Sequence, residues 1–239
     1  KTYPSSRNKK AIKKTWIRNN PSKSTVLFYE SGQIQTKIKD TLYVEVDSTT
    51  KNLGYKFLLG IEWCLKNIEF DYIFHTNTSS YVNIPVLEEF ITNNYFNEEF
   101  LYSGIPMVRD YKNSNDFINF MSGAGIIMNK KTLELILSKK DDWDHNEWND
   151  VALGKLLNQN NVQFSVGKRQ DIQNNFYDNI LDFNNYHYRL RIDNHYGYPR
   201  FLEYYIFLEI FKAIKNLNPN LKNKYKRNVL EIFKFFRVE

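Results

Sequence analysis

Cysteine, proline and glycine are scarce in this 239-residue chain, and each shortage removes a class of protein. Cys64, the single cysteine, rules out an intrachain disulfide and reads as a small buried apolar residue. It fits a reducing compartment better than a secreted one, so a cytoplasmic protein is expected, with membrane association as the alternative. Nine Gly and six Pro leave no collagen-like period and no linker-like stretch. No apolar run approaches the roughly 20 residues that cross a bilayer, and the basic, polar start from Lys1 to Lys14 is unlike a signal peptide. The first residue is not Met, which leaves an upstream strand or anchor open. His75 and His145 form no metal-ligand set with a Cys, and no H-E-x-x-H, Walker A or G-x-S-x-G occurs, so zinc, ATPase and serine-hydrolase chemistries are set aside.

What is present is a globular composition: 42% hydrophobic residues and 16% aromatic ones are enough to bury a sizeable core. Lys and Arg number 33 against 27 Asp and Glu, and the resulting charge of +6 favours phosphates, nucleotides, nucleic acid or anionic membrane. Base-reading modules leave no signature, so nucleic acid is the disfavoured partner.

Short β-rich runs alternate with helical patterns, which predicts an α/β fold, a mixed sheet with helices on both faces. The expected strands are Thr25–Tyr29, Leu42–Val46, Tyr72–His75, Leu101–Gly104, Gly125–Met128 and Val162–Val166. Leu53, Phe57, Ile61, Cys64, Leu65 and Ile68 recur at helical spacing and form one apolar stripe. Further helices are expected over Ile84–Asn94 and Lys131–Lys139 and from about Asn149, while polar Asp110–Asn119 reads as a surface loop that closes over a ligand. Two amphipathic helices, Phe201–Leu217 and Leu221–Phe236, follow a Tyr- and Asn-rich stretch. The expected division is therefore a domain over 1–192 and a helical extension over 193–239 packed on it. The basic faces of that extension also suit peripheral contact with a membrane.

Four segments carry the polar residues suited to chemistry: Arg7 to Trp16, a basic helix ending in Trp; Asp71 to Asn83, a strand running into small hydroxyl and amide residues; Ser122-Gly123-Ala124-Gly125; and Trp148 to Gly154. In this order they resemble the β1,3-galactosyltransferase and Fringe-like glycosyltransferases. That family reads R-x-x-x-I-R-x-T-W, D-x-x-x-N-L-x-x-K, T-D-D-D-x-F-V-N, L-Y-S-G, S-G-x-G and E-D-V-x-x-G. Asp47, Asn52, Leu53 and Lys56 match the second element within a one-residue shift, and Leu101-Tyr102-Ser103-Gly104 matches the fourth. The resemblance covers Arg7 to Leu157. It implies a GT-A fold and an inverting enzyme that moves a sugar from a nucleotide-sugar, UDP-type donor to an acceptor hydroxyl of a glycan or glycoconjugate.

Two departures qualify it. The family aspartates that hold Mn²⁺ and the donor diphosphate fall on Asn77, Thr78 and Ser79, none of which is a carboxylate. A divalent ion prefers anionic oxygen, so no metal cofactor is expected, Mn²⁺ being the alternative. The family's first strand would end near Lys1–Tyr3, which makes Thr2 and Tyr3 candidate walls of the nucleotide pocket. Asn77 to Ser80 are then expected to hydrogen-bond ribose and phosphates, with Arg7 and Lys56 on the nucleotide side. In an extended segment His187, Arg189 and Arg191 share one face, and they are expected to stabilise the leaving diphosphate. By its match Asp150 is the expected general base, with Glu147 as substitute. Trp143 and Trp148 are candidate acceptor platforms, and Ser122 to Gly125 are expected to leave room for a sugar. The rival readings are a binding module that lost the metal motif and a transferase acting on nucleic acid.

Overall fold

A computed structural model describes residues 5–18, 20, 22, 24–95, 97–110, 117–172, 180–190 and 202–221. Helix α1 (Ser5–Ile12) runs into a wider π-helical turn, Lys13–Ile17, where the Thr15 hydroxyl donates back to the Ala11 carbonyl at 2.8 Å. Such back-bonding loosens the regular ladder. Strands β1 (Phe28–Gly32), β2 (Thr36–Ile38) and β3 (Thr41–Glu45) form one sheet in the order β1-β3-β2, with β1 parallel to β3. A single helical turn, Thr50–Asn52, then feeds α2 (Leu53–Asn67), whose apolar stripe buries Phe57, Leu58 and Ile61.

The second sheet has the order β4-β7-β6-β8, from β4 (Tyr72–Thr76), β6 (Tyr102–Asp110), β7 (Phe117–Asn129) and β8 (Ser165–Val166). Its neighbours β4, β7 and β6 run antiparallel, while β8 joins β6 in parallel. The third has the order β5-β10-β9, from β5 (Ser80–Val82), β9 (Arg169–Ile172) and β10 (His187–Leu190). Helices α3 (Ile84–Tyr95), α4 (Lys130–Ser138), α5 (Asn149–Gln159) and α6 (Glu203–Lys215) complete the described elements. Asn129 caps α4 by accepting from the Thr132 amide, which ends the 13-residue β7 sharply.

The fold is mixed α/β, but its hydrogen-bonded strands divide into three sheets rather than one. The main core joins α2, α4 and α5 to β6 and β7 through Phe57, Tyr102, Met121, Met128, Leu133 and Leu156. A second core joins α6 to α1, β5 and β10 through Ile206, Phe207, Ile210, Ala11, Tyr81 and Tyr188. Leu202 at the head of α6 is buried as well, and Phe201 and residues 222–236 of the two expected helices lie outside the described residues. No helix among the described residues is long and apolar enough to cross a membrane.

One local expectation changes. Asp110 and residues 117–119 belong to long strands β6 and β7 rather than to a loop, because the ribbon they form is held by cross-strand pairing from Pro106↔Met121 to Asp110↔Phe117 and needs no apolar period. The segment His187–Leu190, expected to be extended, is the middle strand of its sheet: β5 pairs with it on one side and β9 on the other.

Candidate functional site

Strand β4 delivers the chain into the turn Asn77–Ser80, and β7 runs beside it with Thr76 opposite Gly125. The Asn77 side-chain oxygen accepts from the Ser79 amide at 2.9 Å and lies 3.3 Å from the Ser80 hydroxyl, so the exposed Asn77 folds back on its own turn. Ser79 and Ser80 are buried. Ser79 donates its hydroxyl to Glu203 at 3.0 Å, and Ser80 lies 2.8 Å from His187 Nε2 and 3.3 Å from the Ala124 carbonyl. The expected role of these two hydroxyls at ribose or phosphate is thus corrected, since both are spent inside the protein. Asn77 and half-buried Thr78 remain as the accessible part of the turn.

Strand pairing decides what stands beside it. His187 lies opposite Arg169 in parallel β9 and Arg189 lies opposite Asp171, so these four side chains share one face of the small sheet. Arg169, with a side chain only 6% exposed, places Nε 2.7 Å from an Asp171 oxygen and donates from Nη1 to Ser122 Oγ at 3.0 Å. Arg189 Nη1 reaches the same Ser122 oxygen at 3.5 Å. His187 is 1% exposed and touches the edge of the Phe74 ring. Burial holds it neutral, and the two guanidiniums add to that, which together push its pKa down to about 3. It cannot be the cation expected at a leaving diphosphate. Arg169, which the sequence did not single out, stands on the same face of the sheet as Arg189.

Asp150 sits in the first turn of α5, where one carboxylate oxygen accepts from the Gly123 amide at 2.9 Å and the other from the Val151 amide at 3.1 Å. The two glycines of Ser122–Gly125, expected to leave room for a sugar, lie close against protein atoms. A Cβ on Gly123 would stand 3.1 Å from an Asp150 oxygen, and one on Gly125 would stand 2.5 Å from His187 Nδ1. Trp143 is 5% exposed, packed against Phe57 in the main core, so it is no acceptor platform. Trp148, 71% exposed and immediately before α5, keeps an open aromatic face within two residues of Asp150. Glu147 is half-buried, its amide donating to the Asp144 carbonyl.

Lys56 stands apart from the Ser122 cluster, on α2. It lines a cavity of about 170 Å³ with Ser31 near the end of β1 and Asp47, Ser48 and Thr49 beyond β3. Its ammonium lies 5.4 Å from the centre of the Tyr29 ring, and burial holds its pKa below the usual lysine value. Tyr29 in turn meets His75 Nε2 at 2.7 Å, linking β1 to β4 two residues before Asn77. Arg7 is half-buried on α1, and Thr2, Tyr3 and Arg191 lie outside the described residues.

Mn²⁺ does not fit the donor set of this turn. Asn77, Thr78 and Ser79 bring no carboxylate, the Glu203 carboxylate is engaged by Ser79 and Asn8, and His187 Nε2 is engaged by Ser80. No group of three His, Cys, Asp or Glu suited to a metal occurs among the described residues. Compared with known proteins, the chain matches no family model and no curated protein.

Proposed function

We propose that this protein is an inverting glycosyltransferase of GT-A type that moves a sugar from a nucleotide-sugar donor of the UDP class to a hydroxyl of a glycan or glycoconjugate. The observation that carries the reading is the convergence of Arg169 and Arg189 on Ser122, one residue before the amide that holds Asp150. An inverting displacement needs cations where a diphosphate departs and a base where a hydroxyl attacks. In the step, the acceptor oxygen bonds to the anomeric carbon while the bond from that carbon to the diphosphate oxygen breaks. The electron pair leaves with the diphosphate, and the hydroxyl proton passes to the Asp150 carboxylate, whose oxygens each keep a lone pair beyond the amide bonds. Trp148 offers the acceptor an aromatic face. Divalent metal is not required in this scheme, where Arg189 and the Asp171-paired Arg169 are the groups that meet the diphosphate.

The test is a panel of nucleotide sugars scored for thermal shift, hydrolysis and transfer, with and without EDTA. The expected result is one donor class that stabilises the protein and turns over equally well in chelator. No stabilisation and no turnover with any donor would refute the reading, and loss of activity in EDTA restored by Mn²⁺ would refute its metal-free part. A second reading, a non-catalytic sugar- or nucleotide-binding module, is favoured by Asn77 turned back on its own turn and by the loss of all three turn carboxylates. Donor binding without turnover, unchanged in Asp150→Asn, would select it.

A further inference from the structure

Glu203 is a carboxylate where burial is costly: it is 1% exposed, in the first turn of α6, far along the chain from anything it touches. A buried carboxylate is tolerated only when its oxygens are hydrogen-bonded. Its Oε2 accepts from the Ser79 hydroxyl, at 3.0 Å, and from the Asn8 side-chain amide of α1. Asn8 is fully buried as well. A helix near each end of the described chain thus converges through one carboxylate on the turn that follows β4. The apolar seam of Ala11, Ile12, Ile206, Phe207 and Ile210 fixes α1 against α6. On its other side the turn is tied to β10, where the Leu190 amide donates to the Ser79 carbonyl at 2.8 Å.

We propose that Glu203 is a positioning residue for the Asn77–Ser80 turn, locking Ser79 to α6 and α1 so that Asn77 and Thr78 are presented to a nucleotide diphosphate in one fixed conformation. The proposal rests on reading this turn as part of the donor site. Ser79 has no carboxylate of its own, and α6 supplies one from behind. The carboxylate orients the Ser79 hydroxyl inward, which in turn sets the backbone between Thr78 and Ser80. Hydrogen bonds to a charged group are strong enough that losing them shifts a local equilibrium by about 10- to 100-fold.

The experiment compares the full chain with Glu203→Ala, Glu203→Gln and Asn8→Ala by residue-resolved amide hydrogen exchange and by UDP binding in a calorimeter. Glu203→Ala is expected to speed exchange at Ser79 and Ser80 by about 10-fold or more while the amides of β6 and β7 keep their rates, and to weaken UDP by about 10-fold. Glu203→Gln, which retains an acceptor, restores most of both, and Asn8→Ala, which leaves Glu203 in place, gives the smaller change. Turn exchange at the wild-type rate, or faster exchange spread uniformly through β6 and β7, would overturn the proposal. If wild-type protein binds no UDP, the donor-site reading fails by itself, and the ratio of turn to core exchange still decides whether Glu203 holds the turn. Should Glu203→Ala not fold, Ser79→Ala, which removes the donor and leaves the carboxylate on Asn8, is expected to give the same faster exchange at Ser80 and the same loss of UDP affinity, and wild-type values there would overturn the proposal.

Discussion

Two histidines that fold in their neutral form make the protein sensitive to mild acid. His187 is enclosed beside Arg169 and Arg189, with its pKa lowered to about 3, and His75 is lowered to about 4 by burial with the Lys56 charge adding to it. Geometry agrees: His75 Nε2 meets the Tyr29 hydroxyl, while its Nδ1 is buried with no partner among the described residues, so a second ring proton would have no acceptor. Both values lie below the ordinary 6.5, so the unfolded chain takes up protons first. Their stabilisation is complete above pH 6.5 and is lost as pH falls from there toward 4 and 3. From pH 7 to pH 5.5 each histidine should cost about 1.2 kcal/mol, and the pair about 2.5 kcal/mol. For a chain of this length that is a drop of about 5–10 °C in Tm. The assay is urea or thermal unfolding at half-unit steps of pH for wild type, His75→Gln and His187→Gln. Each replacement should remove about half of the slope, whatever it does to stability at pH 7. A flat wild-type profile, or slopes unchanged in both variants, would refute the burial argument.

Asp150→Asn preserves shape and should leave donor affinity intact while lowering transfer by about 10² to 10⁴, read as kcat with KM unchanged; wild-type turnover there together with a dead Glu147→Gln would move the base to Glu147. Gly125→Ala should fail to reach the wild-type Tm, because the added methyl would stand 2.5 Å from His187 Nδ1 and 3.0 Å from the Phe74 ring; an unchanged Tm would show that the ring yields. Trp143→Ala should cost about 3–5 kcal/mol of folding stability in urea titrations, whereas Trp148→Ala should leave stability within about 0.5 kcal/mol and raise the KM for acceptor alone.

What the sequence made legible follows from where local signals exist. The stripe from Leu53 to Ile68 predicts α2 (Leu53–Asn67) nearly to the residue, since one buried face imposes a 3.6-residue period. Tyr72–His75 is found because an apolar run bounded by polar residues has few other solutions. The site is less legible because its parts are polar, short and brought together over long separations. Strand β9 reads Arg-Gln-Asp-Ile, which carries no apolar alternation, and only its pairing with β10 places Arg169 beside His187. Trp143 and Trp148 are five residues apart in one acidic stretch, yet one fills the core and the other faces water, a difference that depends on α2 passing behind the first.

Glu203 shows the limit most sharply. At the head of an amphipathic helix a glutamate reads as an ordinary first-turn carboxylate, stabilised by the helix dipole and open to solvent. Its burial needs two donors that are remote in sequence, Asn8 and Ser79, and neither announces itself. The same fact recasts the lost carboxylates of the turn. A serine at position 79 looks like the deletion of a charge when only its neighbours are read. In the folded chain a carboxylate stands next to that position, supplied by α6 and facing inward, so the turn is anchored by a carboxylate from another element. Arg169 of β9 and Arg189 of β10 stand on the side of the turn where His187 meets Ser80. Groups of opposite charge thus stand on the two sides of one four-residue turn, Glu203 of α6 on one and Arg169 and Arg189 on the other.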